Sequence, residues 1–500
     1  MKNILLERFP SAGVDAFERE LKDLIKIRLV VYNGEKFPVS NNIEAINTLS
    51  ITKGIGIDSC PWLMENSSMR RLSHYEGIFL SVLSRYDVYK KSFTTEEMLE
   101  HYYRLVNFWI NKIKDIDIIF SLDTPHVPSS FALYIASKIL KKPFIYLDCP
   151  LVYNRFQFFG CSFEYRALLV ENEGKTASEF ISEHEIFKSN YKSNSVSVTS
   201  KYVTYLATRT ERLWWRMLVE DINSSFPISI KAIFDGKIKI RKLYTTELGW
   251  KTSRRRWDDP KSGFMRPFLF FAKLKDRIKI ILARRRYRNL CEDHNTLGEY
   301  ILFAPSMEPE AAILPTALEG RYTFSALKLI SEELPEGVNI VYKENPGQFD
   351  QQVLFTTEWK NKFYYEDLKR IKNIIFVRDD AYTRDLITDS IGVATLNGTI
   401  GLEAIIAGRH CITFASQWYD SLDGLHRVKT SKDISMAVKL MLNKDEPNPQ
   451  PNQVNFSKNF VDMDGCNTKT YSTEDFKKIC LGMWSSYNDF LEIDDRKWGL

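Results

Sequence analysis

Between residues 300 and 415 short apolar runs alternate with stretches whose apolar positions recur every three to four residues. The runs predict strands at 300–304, 339–343, 373–377, 391–395 and 411–415, and the amphipathic stretches predict helices at 322–334, 358–372, 382–389 and 399–407. Strict alternation of strand and helix implies a parallel, doubly wound sheet with ligands outside the carboxyl ends of its strands. Those ends are polar. Ser306, Glu308 and Glu310 follow the first run, Glu344 and Asn345 the second, Arg378 and Asp379 the third, and Asn397, Gly398 and Thr399 the fourth. A site is therefore expected along one rim.

The first half reads as more helical. One unit stands out, with a strand at 117–120, the turn Leu122-Asp-Thr-Pro-His126, a helix at 131–140 and a strand at 143–147. Asp123 and His126 again fall at a strand's carboxyl end. Residues 160–245 are mixed and aromatic-rich, with a helical pattern at 208–219 and no readable function. A Pro/Asn-rich loop spans 443–453, and a helical pattern at 473–491 is expected to pack back across the first domain.

Composition adds a second core. With 500 residues, 44% apolar and 13% aromatic, the chain can fill two domains. Its seven cysteines (60, 149, 161, 291, 411, 466 and 480) form no CxxC pair, which argues against a disulfide framework or a zinc site and favours a reduced, cytosolic setting. No signal-peptide core and no run of about 18 apolar residues is present, so an integral membrane protein is not expected.

Charge is uneven. The net value is +5, yet residues 251–288 hold fourteen Lys or Arg against three Asp, a local +11. This segment mixes Arg254-Arg-Arg-Trp257, Met265-Arg-Pro-Phe-Leu-Phe-Phe-Ala-Lys273 and Arg284-Arg-Arg-Tyr-Arg288, a pattern that suits an anionic membrane surface. A solvated helix whose aromatics pack on the body is the plainer reading. A nucleic-acid patch would look similar, but nothing else here resembles a nucleic-acid module, and none is expected as partner.

The most specific chemistry lies in residues 391–415. After the apolar run ending at Leu396, Asn397, Gly398 and Thr399 form a turn, Thr399 is placed to cap a helix to about Ala407, and Gly408 stops it. Such a helix start favours a phosphate. Gly401 would let backbone approach a ligand, and Glu403, one turn in, suits a ribose diol. A helix in a parallel sheet without ligand gives the same pattern.

Four motifs together resemble the capsule polysaccharide biosynthesis family, which includes transferases of Kdo and related sugar acids. They are Asp123-Thr-Pro-His126, Met307-Glu-Pro-Glu310, Lys343-Glu-Asn-Pro346 and Asn397-Gly-Thr-Ile-Gly-Leu-Glu-Ala404. Two positions depart from the family pattern: Met307 replaces a glutamine and Asn345 a histidine. The resemblance implies an α/β, GT-B-like fold of two Rossmann-like, doubly wound domains facing a cleft. The implied division is an acceptor-side domain at 1–245, a basic aromatic linker at 246–295, a nucleotide-sugar domain at 296–445, and a closing loop and helix at 446–500.

It further implies a glycosyltransferase acting on a CMP-activated sugar acid and a glycan or glycolipid acceptor. No cofactor or metal is called for, since CMP is a single-phosphate leaving group. Donor-binding candidates are Glu308, Glu310, Lys343, Asn345, Pro346, Asn397, Gly398, Thr399, Gly401 and Glu403, and catalytic candidates are Asp123, as base or nucleophile, and His126 as proton carrier. Arg378, His410 and Arg427 are weaker candidates for holding the sugar carboxylate.

Each has a structural alternative. Asp123 suits a helix cap, His126 a buried structural histidine, Glu310 a first-turn acid, and Asn345-Pro346 a strand end. Asp379-Asp380 reads as a solvated turn rather than a metal pair. Competing functions are a UDP-sugar hexosyltransferase, a UDP-sugar 2-epimerase, a CDP-alditol phosphotransferase, and an inactive scaffold. The expected location is cytoplasmic, peripheral on the inner face of the membrane.

Overall fold

The computed structural model describes residues 1–33, 43–52, 54–84, 94–148, 156–163, 266–292, 297–308, 314–349, 360, 362–420, 422–443, 449, 460–462 and 471–491. Glu310, the helical pattern at 208–219 and residues 251–265 of the basic segment lie outside them.

The N-terminal half is built on a seven-stranded sheet, which the sequence reading largely missed. Its strands are β1 (Lys2–Glu7), β2 (Ile25–Tyr32), β3 (Glu44–Asn47), β4 (Ile118–Ser121), β5 (Phe144–Asp148), β6 (Phe156–Gly160) and β13 (Phe460–Asp462), in the order β13-β6-β5-β4-β1-β2-β3. Strands β1 to β5 run parallel, while β6 is antiparallel to β5 and β13 to β6. Ile4, Leu5 and Leu6 of β1 are fully buried, as a central parallel strand covered on both faces requires. In β2, Ile25, Ile27 and Leu29 point inward while Lys26 and Arg28 are exposed, so charge interrupts the apolar run without ending the strand.

Helices α1 (Ser11–Glu20), α2 (Thr48–Thr52), α3 (Asn66–Ser84), α4 (Thr95–Ile113) and α5 (Pro128–Ile139) belong to this unit. Thr94 and Glu97 close a reciprocal capping box at the start of α4. The second unit begins with α6 (Arg266–Asn289), followed by β7 (Glu299–Phe303), α7 (Thr323–Glu333), β8 (Val338–Lys343), α8 (Tyr364–Lys369), β9 (Ile374–Val377), α9 (Thr383–Asp389), β10 (Gly392–Thr395), α10 (Ile400–Ile406), β11 (Cys411–Thr413), β12 (Leu425–Arg427) and α11 (Ser431–Leu442). Its six strands are ordered β12-β11-β10-β7-β8-β9, and every pair is parallel. The expected helix at 358–372 is shorter, with α8 covering only Tyr364–Lys369 among the described residues.

The final helix, α12 (Thr473–Leu491), packs on α1 of the first unit. Its Phe476, Ile479, Cys480, Met483, Tyr487 and Phe490 join the core under β1 and β4. No described helix is long and apolar enough to cross a membrane.

Both sheets therefore share one plan, doubly wound and α/β as expected. In each, the first strand of the unit is central and the chain leaves it in opposite directions, once toward β2 or β8 and once toward β4 or β10. The crevice between the carboxyl ends of those diverging strands is where open α/β sheets take ligands. In the first unit it opens between β1 and β4, and in the second between β7 and β10.

Candidate active site

The crevice of the second unit is closed off by the loop after β10. Thr395 Oγ donates to the Ala304 carbonyl at 2.9 Å, tying the ends of β10 and β7 together. Asn397 is buried and donates its side-chain amide to Thr316 Oγ at 2.9 Å, which holds the turn from beneath. A Cβ on Gly398 would stand 2.7 Å from Thr395 Oγ and 3.4 Å from Ser306 Oγ, so the glycine lets this turn sit down on the strand ends.

Two expectations about the turn need correcting. Thr399 occupies the N-cap position but makes no capping hydrogen bond, because its helical φ of −63° and ψ of −12° turn Oγ away from the first N–H groups. Gly401 is required by the protein's own packing rather than by a ligand. A Cβ there would lie 2.6 Å from the Tyr419 hydroxyl and 3.1 Å from Cys411 Sγ, and that hydroxyl donates to the Gly398 carbonyl at 2.5 Å. Gly408, with φ of +72°, ends the segment as expected.

Facing this turn, Lys343 ends β8 and is 5% exposed. It makes no hydrogen bond or ion pair with any described residue, although Asp379, Glu344, Glu403 and Asp380 are near enough to act on it electrostatically. Burial lowers its pKa and those carboxylates oppose the shift. Glu403 answers from α10: burial pushes its carboxyl up to about 7, with Lys343 pulling the other way. A buried cation without a direct partner, a half-buried carboxyl and a glycine turn thus share one rim.

Glu308 belongs elsewhere. Lys360 Nζ lies 2.6 Å from Glu344 and 3.2 Å from Glu308, forming a buried ion triad. Thr323 donates to Glu308 at 3.1 Å, and Gln348 grips its backbone from both sides. Glu344 also accepts from Tyr342 and Tyr365, each at 2.9 Å. The Glu308 carboxylate is thus held in a buried network of the protein's own side chains. Asn345 accepts from the Gly347 N–H at 2.9 Å and starts the short turn that begins at Pro346, so its carbonyl oxygen shapes the loop.

The Asp379-Asp380 pair forms a turn that is solvated at Asp380 but not at Asp379. Asp379 is fully buried and is held by Arg284 at 2.7 Å and Arg288 at 2.6 Å, both from α6. Asp380 pairs with Arg288 at 2.8 Å and with Arg378 through two bonds of 2.9 Å, so Arg378 is committed as well. His410 precedes β11, at the end of the sheet opposite the rim, and its Nδ1 lies 3.0 Å from His426 Nε2. Arg427, at the end of β12, sits 3.9 Å from Asp420.

In the first unit the crevice lies between Glu7-Arg8, at the end of β1, and the turn after β4. Asp123 pairs with Arg8 across it, and its side chain is 36% exposed. His126 stands 3.7 Å from Asp123 and donates Nδ1–H to the Thr124 carbonyl at 2.8 Å. Asp123 caps no helix: the N-cap of α5 is Val127, with no side-chain bond.

Beneath them lies Glu7, fully buried, which accepts from Ser130 in the first turn of α5. Burial raises its carboxyl pKa, with Ser130 foremost among the opposing groups. Neither Glu7 nor Arg8 stood out in the sequence, where the only usable signal was their position just after an apolar run.

Comparison with known proteins supports the motif reading over part of the chain. The model of the family described as capsule polysaccharide biosynthesis protein matches residues 318–441, which include Lys343 to Pro346 and Asn397 to Ala404. No curated protein matches the chain. Among solved structures it is weakly similar to a beta Kdo 2,7 transferase, KpsC, of Thermosulfurimonas dismutans, at 10% identity over 97% of this chain and 100% of that one, with a TM-score of 0.28. It is also similar to the UDP-GlcNAc 2-epimerase of Methanocaldococcus jannaschii, at 12% identity over 97% and 99%, TM-score 0.23. The HepE protein of Anabaena, solved with UDP and glucose, aligns at 10% identity over 97% and 100%, TM-score 0.24.

Proposed function

We propose that the protein, whose residues 318–441 match the capsule polysaccharide biosynthesis family model, is a glycosyltransferase moving Kdo or a related sugar acid from a CMP-activated donor to a lipid-linked or growing glycan. The observation that carries this reading is Lys343, buried at a strand's carboxyl end with no direct ionic partner among the described residues. A buried cation without a direct ion pair is costly, and a phosphate between it and the Gly398-Thr399 turn would offset that cost. Glu403, in the same crevice, suits the ribose hydroxyls.

Lys343 then stabilises charge that grows on the departing CMP phosphate, the point at which a preorganised cation accelerates transfer most. In the first unit Asp123 takes the proton from the acceptor hydroxyl if the reaction inverts, or attacks the anomeric carbon if it retains. Arg8 orients it, and His126 stands close enough to carry a proton. The leaving group has one phosphate, so no metal is required to neutralise a diphosphate. The exposed cations and aliphatic side chains of α6 suit a peripheral position on the anionic inner face of the membrane.

The test is binding of CMP, UMP, UDP, CDP and GDP to the full chain without added metal, read by calorimetry and thermal shift. Selective stabilisation by CMP is expected, weakened by Glu403→Ala and by Lys343→Met. Asp123→Ala should lower transfer about a hundredfold or more while binding stays within a few fold. Preference for UDP would replace this reading with a UDP-sugar enzyme. CMP binding without turnover on any donor would replace it with a scaffold.

A further inference from the structure

A cavity of about 650 Å³ opens in the first unit between α3, α4 and the loop before α3. Trp62 and Tyr103 form its aromatic walls, and Trp62 is 53% exposed. An exposed tryptophan on a loop would ordinarily be free to reorient. This one is held: Asn107, 3% exposed, donates to the Pro61 carbonyl at 3.0 Å and accepts from the Leu63 N–H at 2.8 Å, gripping the backbone on both sides of Trp62. Asn111 adds a second donor to Pro61 at 2.9 Å. These bonds fix the backbone from which the Trp62 ring projects, and a fixed backbone lowers the ordering cost of binding.

The remaining walls decide what the platform can take. Asp58, Glu76, Glu96 and Glu100 face a single cation, Arg104. Arg104 is committed to Asp58 at 2.8 Å, and the Tyr103 hydroxyl donates to Glu76. Glu96 and Glu100 are exposed acceptors at the mouth. The flat apolar face of a pyranose stacks on such a ring through its C–H groups, while its hydroxyls or an amino group donate to carboxylates. A sugar carboxylate would be repelled.

We infer that this groove is a saccharide subsite with Trp62 as its stacking platform, and that it takes neutral or amino-bearing sugars rather than sugar acids. Its sugar chemistry rests on the groove alone; any part it takes in transfer rests on the proposed function.

The experiment uses the full chain with tetramers of N-acetylglucosamine, glucosamine and galacturonic acid, followed by saturation-transfer NMR and calorimetry. The neutral or the amino tetramer is expected to bind and the acid tetramer not. Trp62→Ala should weaken binding about tenfold, with Trp62→Phe recovering part of it and neither moving the thermal midpoint or CMP affinity. Binding that is equal in wild type and Trp62→Ala, preference for galacturonate, or no binding of any tetramer would overturn the inference. Loss of CMP binding with Trp62-dependent sugar binding intact would instead remove the transferase reading and leave the groove standing.

Discussion

Glu403 holds its proton to about pH 7 because burial costs the carboxylate more than the charge of Lys343 returns. Its ordinary value is 4.5, so between those two pH values the folded chain binds more protons than the unfolded one, and stability falls as pH rises through the interval. Glu403→Gln should abolish that slope and, above pH 7, stabilise the protein by up to about 3 kcal/mol. Denaturation curves across the range check this, and parallel curves for the two proteins would contradict it. The same residue is a donor-binding candidate, so the gain in stability should come with weaker nucleotide binding. At this scale sequence and structure separate cleanly. Lys343 and Asp123 were legible as polar residues at the ends of apolar runs, and Glu403 as an acid one turn into the helix after Thr399. The commitment of Glu308 to Lys360, or of Asp379 to two arginines, was not, because the partners lie far away along the chain.

Helix α6 shows two faces with different tasks. Arg277, Ile280, Arg284, Tyr287 and Arg288 turn inward. The Tyr287 hydroxyl donates to the Val377 carbonyl at 2.6 Å and accepts from the Glu344 N–H at 2.9 Å, and Arg284 and Arg288 clamp Asp379. On the other face Ile278, Ile281 and Leu282 are 49%, 42% and 43% exposed, flanked by the exposed cations Lys275 and Arg285. Exposed aliphatic residues at helical spacing between cations fit an interfacial helix. Ile278→Ser, Ile281→Ser and Leu282→Ser together should reduce sedimentation with phosphatidylglycerol vesicles about tenfold. Added salt should weaken binding of the parent, and phosphatidylcholine vesicles should bind poorly. Equal sedimentation of variant and parent would refute the docking face. The basic run was visible from composition, but which of its arginines turn inward was not: 284 and 288 lie one turn apart, and only the position of Asp379 tells their face from that of Arg285.

Across the whole molecule, the last helix decides the integrity of the first unit. Phe476 of α12 is 4% exposed and packs into the same core as Ile4, Leu6 and Phe17. Phe476→Ala should destabilise that unit by about 3 to 5 kcal/mol, lowering the unfolding midpoint while CMP binding persists in the folded fraction. An unchanged melt would show that α12 is dispensable. Such a contact joins positions more than 450 residues apart, and no local pattern announces it. What the sequence determined by itself is everything governed by neighbours within a few residues: the βα alternation of the second unit, the turn at Asn397 to Thr399, the stop at Gly408, and helix 473–491. Those features follow from side-chain periodicity and backbone preference, which act over one or two turns. Only the tertiary structure decided that β1 is central in a second sheet of the same winding, that Arg8 meets Asp123 across its crevice, and that Asn107 holds the backbone on both sides of Trp62. In each case burial and pairing between distant segments set the outcome, and their free energy belongs to the folded whole rather than to any stretch of chain.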